Sequence, residues 1–416
     1  MFKDVISSPT FCVLPWIHMA TRTSGAILPC CVGGQLKDNL NCTTFTKAWN
    51  GNSMKELRKK MIDGKKSSIC NRCYNEEKAA LPSNRIRSND YWGQYLSLDD
   101  LKKGTNEDGS FDGKILFFDL RIGNKCNLVC NMCGPQESML WNSMTKQIYK
   151  LAKEPLLKEY MAKQVSSILP SQNQNWYKRK EITQDIYANL SFVRRIVIAG
   201  GEPLLIKEHY DLLDECIHRK EASHITLHYH TNGTIVRPEL FEKWKYFETV
   251  MVFISLDGLR EQNHYIRYPC SWKLIEKNLH LFDKESPANV HPMVLYTIQA
   301  MNIFYMPDFI SWLVDGKFKK LHLHDGFFHT EVVHNPYFLS CQVLPSRIKE
   351  KIMDKFQLMF KMYDFNQNRI QSILDFMNIE DKTKHLSVFK DYISILDKIR
   401  GTSFAKTFPE IAEISD

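Results

Sequence analysis

Lys125–Gly134, KCNLVCNMCG, spaces three cysteines as C-x3-C-x2-C and supplies no fourth. A structural zinc ion closes its tetrahedron with four protein donors, and an ordinary electron-transfer iron–sulfur cluster takes four thiolates, so three is an open count. Spacings of four and three would put Cys126, Cys130 and Cys133 on one face of a helix, and free cysteine is often buried. The segment is crowded, however, with Gly123, Asn124, Asn127, Asn131, Gly134 and Pro135, which favour turns and caps. The stretch reads as a loop whose thiols hold a cluster with one iron left uncovered.

Outward from this loop the chain alternates short apolar runs with longer amphipathic stretches. ILFFDLRI (115–122), RIVIAGG (195–201), ITLHYHTNG (225–233), VMVFISLDG (250–258), MVLYTIQAMN (293–302) and KKLHLHDGFF (319–328) read as strands, each followed by a stretch able to form a helix. That rhythm predicts an α/β chain of parallel βα units, and six of them with right-handed crossovers make a partial (β/α)6 barrel, TIM-like but unclosed. Reactive groups in such folds gather at the carboxyl ends of the strands. Cys126, Gly200 to Glu202, Thr231, Asn232, Ser255, Asp257 and Asp325 all fall at or just after a predicted strand end, so they are expected to share one rim. The barrel is assigned to residues 113–330. Residues 331–416 form a helical extension with apolar spacing and no evident chemistry, 91–112 a polar linker, and 1–90 a separate region rich in cysteine, tryptophan and turns.

With 416 residues, 44% of them hydrophobic and 25% charged, the composition is that of a folded globular protein with a sizeable core rather than a disordered chain. The start, MFKDVISSPTFCVLPW, lacks a basic region followed by an apolar run, and no stretch is apolar enough to span a bilayer. Twelve cysteines in such a chain point to a reducing, cytoplasmic setting and to metal or catalysis rather than disulfides. The net charge of +8 is concentrated in KELRKKMIDGKK, Lys55–Lys66, which reads as a solvated helix face with Leu57 and Met61 turned inward. No basic stripe with interleaved aromatics accompanies it, so neither nucleic acid nor a membrane is an expected partner.

C-x3-C-x2-C after a first strand, GGEP (200–203) after a second and SLDG (255–258) after a later one together resemble the radical S-adenosylmethionine superfamily, over most of residues 115–330. The resemblance answers the open count. It implies that Cys126, Cys130 and Cys133 hold three irons of a 4Fe-4S cluster and that S-adenosylmethionine chelates the fourth. It also implies that Gly200, Gly201, Glu202 and Pro203 receive the methionyl ammonium, that Ser255 and Asp257 bond the ribose or methionyl group, that Arg267 pairs with the methionyl carboxylate, and that Met132 lies against adenine, where relatives carry an aromatic residue. The implied activity is hydrogen abstraction by a radical S-adenosylmethionine enzyme. Its electron donor would be a low-potential protein such as flavodoxin or ferredoxin.

The amino-terminal region carries a second signal. FCVLPWIHMATRTSGAILPCC (11–31) and SSICNRCYNEE (67–77) supply Cys12, Gly25, Cys30, Cys70 and Cys73, and WNGNSMKELRKKM (49–61) precedes the last pair. This resembles the half-length auxiliary-cluster module called twitch, here ahead of the barrel rather than after it. It implies a second, auxiliary 4Fe-4S cluster on Cys12, Cys30, Cys70 and Cys73. Spacing alone leaves structural zinc open, and Cys31 stands beside Cys30 as an alternative ligand. Relatives with such modules modify peptides and proteins, and some act on small alcohols or nucleotides. A peptide or protein is the first expectation; the alternatives are RNA, a nucleotide or a small molecule modified by the same radical chemistry, or a non-catalytic zinc or iron–sulfur binding module. Cys42, Cys216, Cys270 and Cys341 read as packing residues. His228, His230, His322, His324, Gln299 and Asn302 lie where they could line a substrate pocket, without an assigned role.

Overall fold

The computed structural model describes residues 8–78, 83–171, 175–321, 329–363 and 367–413. Its strands are β1 (His18–Thr21), β2 (Ile27–Leu28), β3 (Phe117–Ile122), β4 (Arg195–Gly200), β5 (Thr226–Thr231), β6 (Thr249–Ser255), β7 (Val290–Ile298) and β8 (His329–Val332). They follow the order β2-β1-β3-β4-β5-β6-β7-β8 in an eight-stranded sheet whose order does not return on itself. Pairing is parallel from β1 to β3, β3 to β4, β4 to β5, β6 to β7 and β7 to β8, and antiparallel between β1 and β2. The fold is the open, mostly parallel α/β sheet that the alternation of short apolar runs predicts. Five of the six expected strands lie where the apolar runs place them. The sixth expectation, 319–328, has His322, His324 and Asp325 outside the described residues, and the strand found is β8, just beyond it.

The two-residue period of a sheet is clearest in β5 and β8. In β5, Leu227, Tyr229 and Thr231 are buried while Thr226, His228 and His230 are half-buried. Between β3 and β4 the register runs unbroken from Phe117↔Arg195 to Ile122↔Gly200, which brings the two strand ends level.

The chain divides into two compact units. The first comprises Met1–Asn124, Gln172–Tyr229 and Tyr246–Thr249. Here the amino-terminal region is part of the sheet, because β1 pairs with β3 at His18↔Phe117. Residues 91–112, read from sequence as a linker, hold a helix, Leu98–Lys103, with Ser97 capping it. Phe111 N–H then donates to Asn50 Oδ1 at 3.0 Å, and its carbonyl accepts from Trp49 Nε1 at 3.2 Å. The second unit comprises Lys125–Ser171, His230–Lys245 and Val250–Asp416. Its last long helix, Leu386–Arg400, buries Val388, Phe389, Tyr392, Ile393 and Leu396, a stripe at three- and four-residue spacing, and stops at Gly401 in the left-handed region with φ +67°. Among the described residues no helix is long and apolar enough to cross a membrane.

Candidate functional site

Cys126, Cys130 and Cys133 lie in a loop after β3, as the turn-forming residues predict, and belong to the second unit. The turn that follows β5 holds the start of this loop. Asn232 Nδ2 donates to Asn127 Oδ1 at 2.8 Å and approaches Cys126 Sγ at 3.9 Å, while Asn127 Nδ2 donates to Thr234 Oγ1 at 2.8 Å. Further along, the Cys133 thiol donates to Cys130. That bond, with the Arg267 guanidinium, holds the Cys130 thiol below its ordinary value against the opposing effect of burial, and Cys133 as donor is pushed up. Arg267 Nη1 stands 4.0 Å from Cys130 Sγ.

Arg267 is itself fixed by Asp257, Nε to Oδ2 at 2.7 Å, with both side chains buried. Asp257 Oδ1 accepts from Thr297 N–H at 2.7 Å, and its carbonyl accepts from Asn302 Nδ2 at 3.0 Å. Burial pushes the Asp257 carboxyl up, against the pull of Arg267. Both Asp257 oxygens thus have a partner within the chain, Oδ2 in Arg267 and Oδ1 in Thr297. Asn302 also accepts from Gln299 N–H at 2.8 Å, so the polar groups after β7 serve the Asp257 turn. Ser255, at the end of β6, and Met132, in the loop, are half-buried.

Gly200, Gly201, Glu202 and Pro203 belong to the first unit. Gly200 has φ +129°, and a Cβ there would lie 2.8 Å from the Gly123 carbonyl oxygen. Gly201 N–H donates to that same oxygen at 3.0 Å. Glycine is required because two strand ends approach more closely than a side chain permits. Glu202 is fully buried and its carboxylate accepts from Leu204 N–H at 3.2 Å, capping a short turn that Pro203 opens.

Also in the first unit, Cys12, Cys30, Cys70 and Cys73 line one small cavity together with Val32, Gly33, Asn84 and Arg85. Burial, reinforced by the neighbouring thiols, pushes Cys12 and Cys30 well up and Cys70 up to about 11. Four thiols facing one cavity are the donor chemistry of a metal centre, whose positive charge would stabilise them as thiolates. Cys31 does not line this cavity; its thiol, raised to about 11 by burial, feels Asp119 and Arg121 instead. Arg85 braces the Cys12 segment, Nη1 donating to the Phe11 carbonyl at 2.9 Å while Nη2 pairs with Glu77 at 2.7 Å. Arg58 donates to the Pro15 carbonyl at 2.8 Å from full burial.

Sequence reasoning missed these braces, and it missed Arg400 and Tyr392. Arg400 donates to the Val129 carbonyl at 2.6 Å and Tyr392 to the Asn131 carbonyl at 2.9 Å, one on each side of Cys130. Nothing in an amphipathic helix ending Arg-Gly distinguishes such an arginine from an ordinary last-turn cation.

Residues 120–301 match the radical SAM superfamily, and residues 12–74 match SPASM, an iron–sulfur cluster-binding domain. The first match implies a 4Fe-4S cluster with S-adenosylmethionine and the second an auxiliary iron–sulfur cluster, and cysteine thiols, the donors such clusters take, are present in both matched regions. Among solved structures, native anSMEcpe with bound AdoMet is similar at 15% identity over 59% of this chain and 60% of that chain, with a TM-score of 0.36. Streptococcus suis SuiB bound to precursor peptide SuiA is similar at 11% identity over 95% of this chain and 74% of that chain, with a TM-score of 0.34. The match thus spans about three-fifths of the anSMEcpe chain. A search of curated proteins found no match.

Proposed function

We propose that this radical SAM superfamily enzyme, carrying its SPASM iron–sulfur domain ahead of the barrel, oxidatively modifies a peptide or protein at a C–H bond. Cys126, Cys130 and Cys133 would hold three irons of the reactive cluster and leave the fourth to S-adenosylmethionine; Cys12, Cys30, Cys70 and Cys73 would complete the auxiliary cluster with no open position. When bound, these groups supply hydrogen-atom abstraction from an unactivated C–H bond and an acceptor for the electron left on the substrate.

The protein's own part is positioning. Gly200 and Gly201 would give the methionyl group a close approach to backbone, and Glu202 a buried carboxylate for its ammonium. Arg267, locked by Asp257, presents a fixed cation for the methionyl carboxylate. Ser255 would reach the ribose, and Met132 would lend adenine a soft apolar contact. The peptide or protein substrate is read from the enzymes that this domain pair resembles, and a low-potential flavodoxin or ferredoxin would serve as donor.

The observation that carries the reading is the partition of seven cysteines into an open set of three in one loop and a closed set of four around one cavity. Anaerobic reconstitution with iron and sulfide should give about eight irons per chain, and about four in the C126A/C130A/C133A variant. Wild type should release 5'-deoxyadenosine under dithionite and the variant should not. Zinc in place of iron, with no cleavage, would overturn the reading. With a true substrate, mass spectrometry should show loss of two hydrogens; a product of unchanged mass would refute net oxidation.

A further inference from the structure

We propose that Arg400, at the end of the helix Leu386–Arg400, is a positioning residue for the cysteine loop, fixing the backbone around Cys130 and supplying a buried positive charge to the cluster that the loop would hold. The inference rests on the reading of Cys126, Cys130 and Cys133 as cluster ligands.

The backbone on either side of Cys130 is held completely. Val129 N–H donates to the Tyr268 carbonyl at 2.6 Å and Asn131 N–H to the Ile266 carbonyl at 2.8 Å. The two opposite groups face the tail: the Val129 carbonyl accepts from Arg400 Nη2 at 2.6 Å, and the Asn131 carbonyl from Tyr392 at 2.9 Å. Arg400 Nη1 also donates to the Asn131 side-chain oxygen. Tyr392 and Arg400 are eight residues apart on one helix, so they share a face and act as a two-point clamp. A loop of turn-forming residues has little order of its own, and three thiols must stand in one arrangement to meet three irons. The clamp supplies that arrangement.

The second strand of the argument is charge. Arg400 is 8% exposed. Its hydrogen bonds end on neutral acceptors, the Val129 and Tyr265 carbonyls, the Asn131 amide and the Met144 sulfur, and among the described residues no carboxylate pairs with it. A buried guanidinium without an anion is costly, which implies that an anion comes with the occupied site. An iron–sulfur cluster ligated by thiolates has that charge, and becomes more negative on reduction. Arg400 should therefore favour the reduced cluster as well as its retention.

The test uses full-length protein reconstituted anaerobically, with wild type, R400M, R400K and Y392F compared, and with C126A/C130A/C133A identifying the loop's share of the electron paramagnetic resonance signal. R400M should lower the midpoint potential of that signal and speed loss of its iron to a chelator by about tenfold. R400K, which keeps the charge but not the fork, should hold the potential while releasing iron faster than wild type. Y392F should likewise speed release without moving the potential. A potential and release rate in R400M equal to those of wild type would overturn the proposal. Should R400M fail to fold, wild-type release rates in both R400K and Y392F would do the same. No wild-type signal dependent on the three cysteines would instead refute the ligand reading, and this inference with it.

Discussion

An alanine at position 200 has nowhere to put its methyl group. The Cβ would meet the Gly123 carbonyl oxygen at 2.8 Å and Ile122 backbone atoms at 3.0 Å, all main chain that cannot swing aside, and φ +129° is itself unfavourable for any side chain. G200A should cost about 2–3 kcal/mol in urea unfolding; a loss below about 0.5 kcal/mol would show that the strand ends can part. His18 gives a second single-residue prediction. Its ring is buried in β1, stacks on Phe117 at 4.0 Å between centroids and bonds the Pro29 carbonyl through Nδ1, and burial pushes its pKa down to about 3. The fold therefore favours the neutral ring. Its contribution is fully present above the unfolded value of 6.5 and is lost as pH falls from there toward 3, at up to about 1.4 kcal/mol per pH unit. Unfolding free energies measured at about pH 7.5 and about 5.5 should fall more for wild type than for H18Q, and equal slopes would sink the assignment.

At the scale of elements, legibility followed locality. Strands β3 to β7 were visible because apolar alternation and the turn residues after each run are properties of neighbouring residues, and the cysteine loop was visible because six turn-formers crowd it. β1 and β2 were not, because four and two residues carry no readable period and only pairing with β3 makes a strand of His18–Thr21. The basic run Lys55–Lys66 was half right: Leu57 and Met61 are buried in the helix Asn52–Ile62, but so is Arg58. It donates to Asn50 Oδ1 at 2.9 Å and stacks over Trp49 at 4.5 Å, partners that sequence cannot assign. R58M keeps the stem but takes the donor from the Pro15 carbonyl and leaves Asn50 Oδ1 with Phe111 N–H alone, so it should destabilise the protein by about 1–3 kcal/mol, and R58K should recover only part of this because an ammonium lacks the planar fork. Full recovery by lysine in denaturant unfolding would mean that charge alone, not the fork, holds Pro15.

For the whole molecule, the two cysteine sets differ in electrostatics as well as in number. Around the four-cysteine cavity, burial raises Cys12, Cys30 and Cys70, so those thiols are neutral near pH 7 until a cation arrives. In the loop, Cys133 as donor is pushed up while Cys130, its acceptor beside Arg267, is held down. The four-cysteine site must expel protons to load. Loading is therefore linked to pH, and linkage fixes the sign: a site that releases protons binds more tightly as pH rises. Cobalt(II) titrated anaerobically into the reduced, metal-free C126A/C130A/C133A variant should report on the four-cysteine site through its thiolate charge-transfer band. The logarithm of its apparent affinity should climb with a slope of about three or more per pH unit near neutrality, one for each raised thiol. A slope of about one or less would mean that most of those thiols are not ligands, and the assignment of Cys12, Cys30 and Cys70 to a common centre would fall.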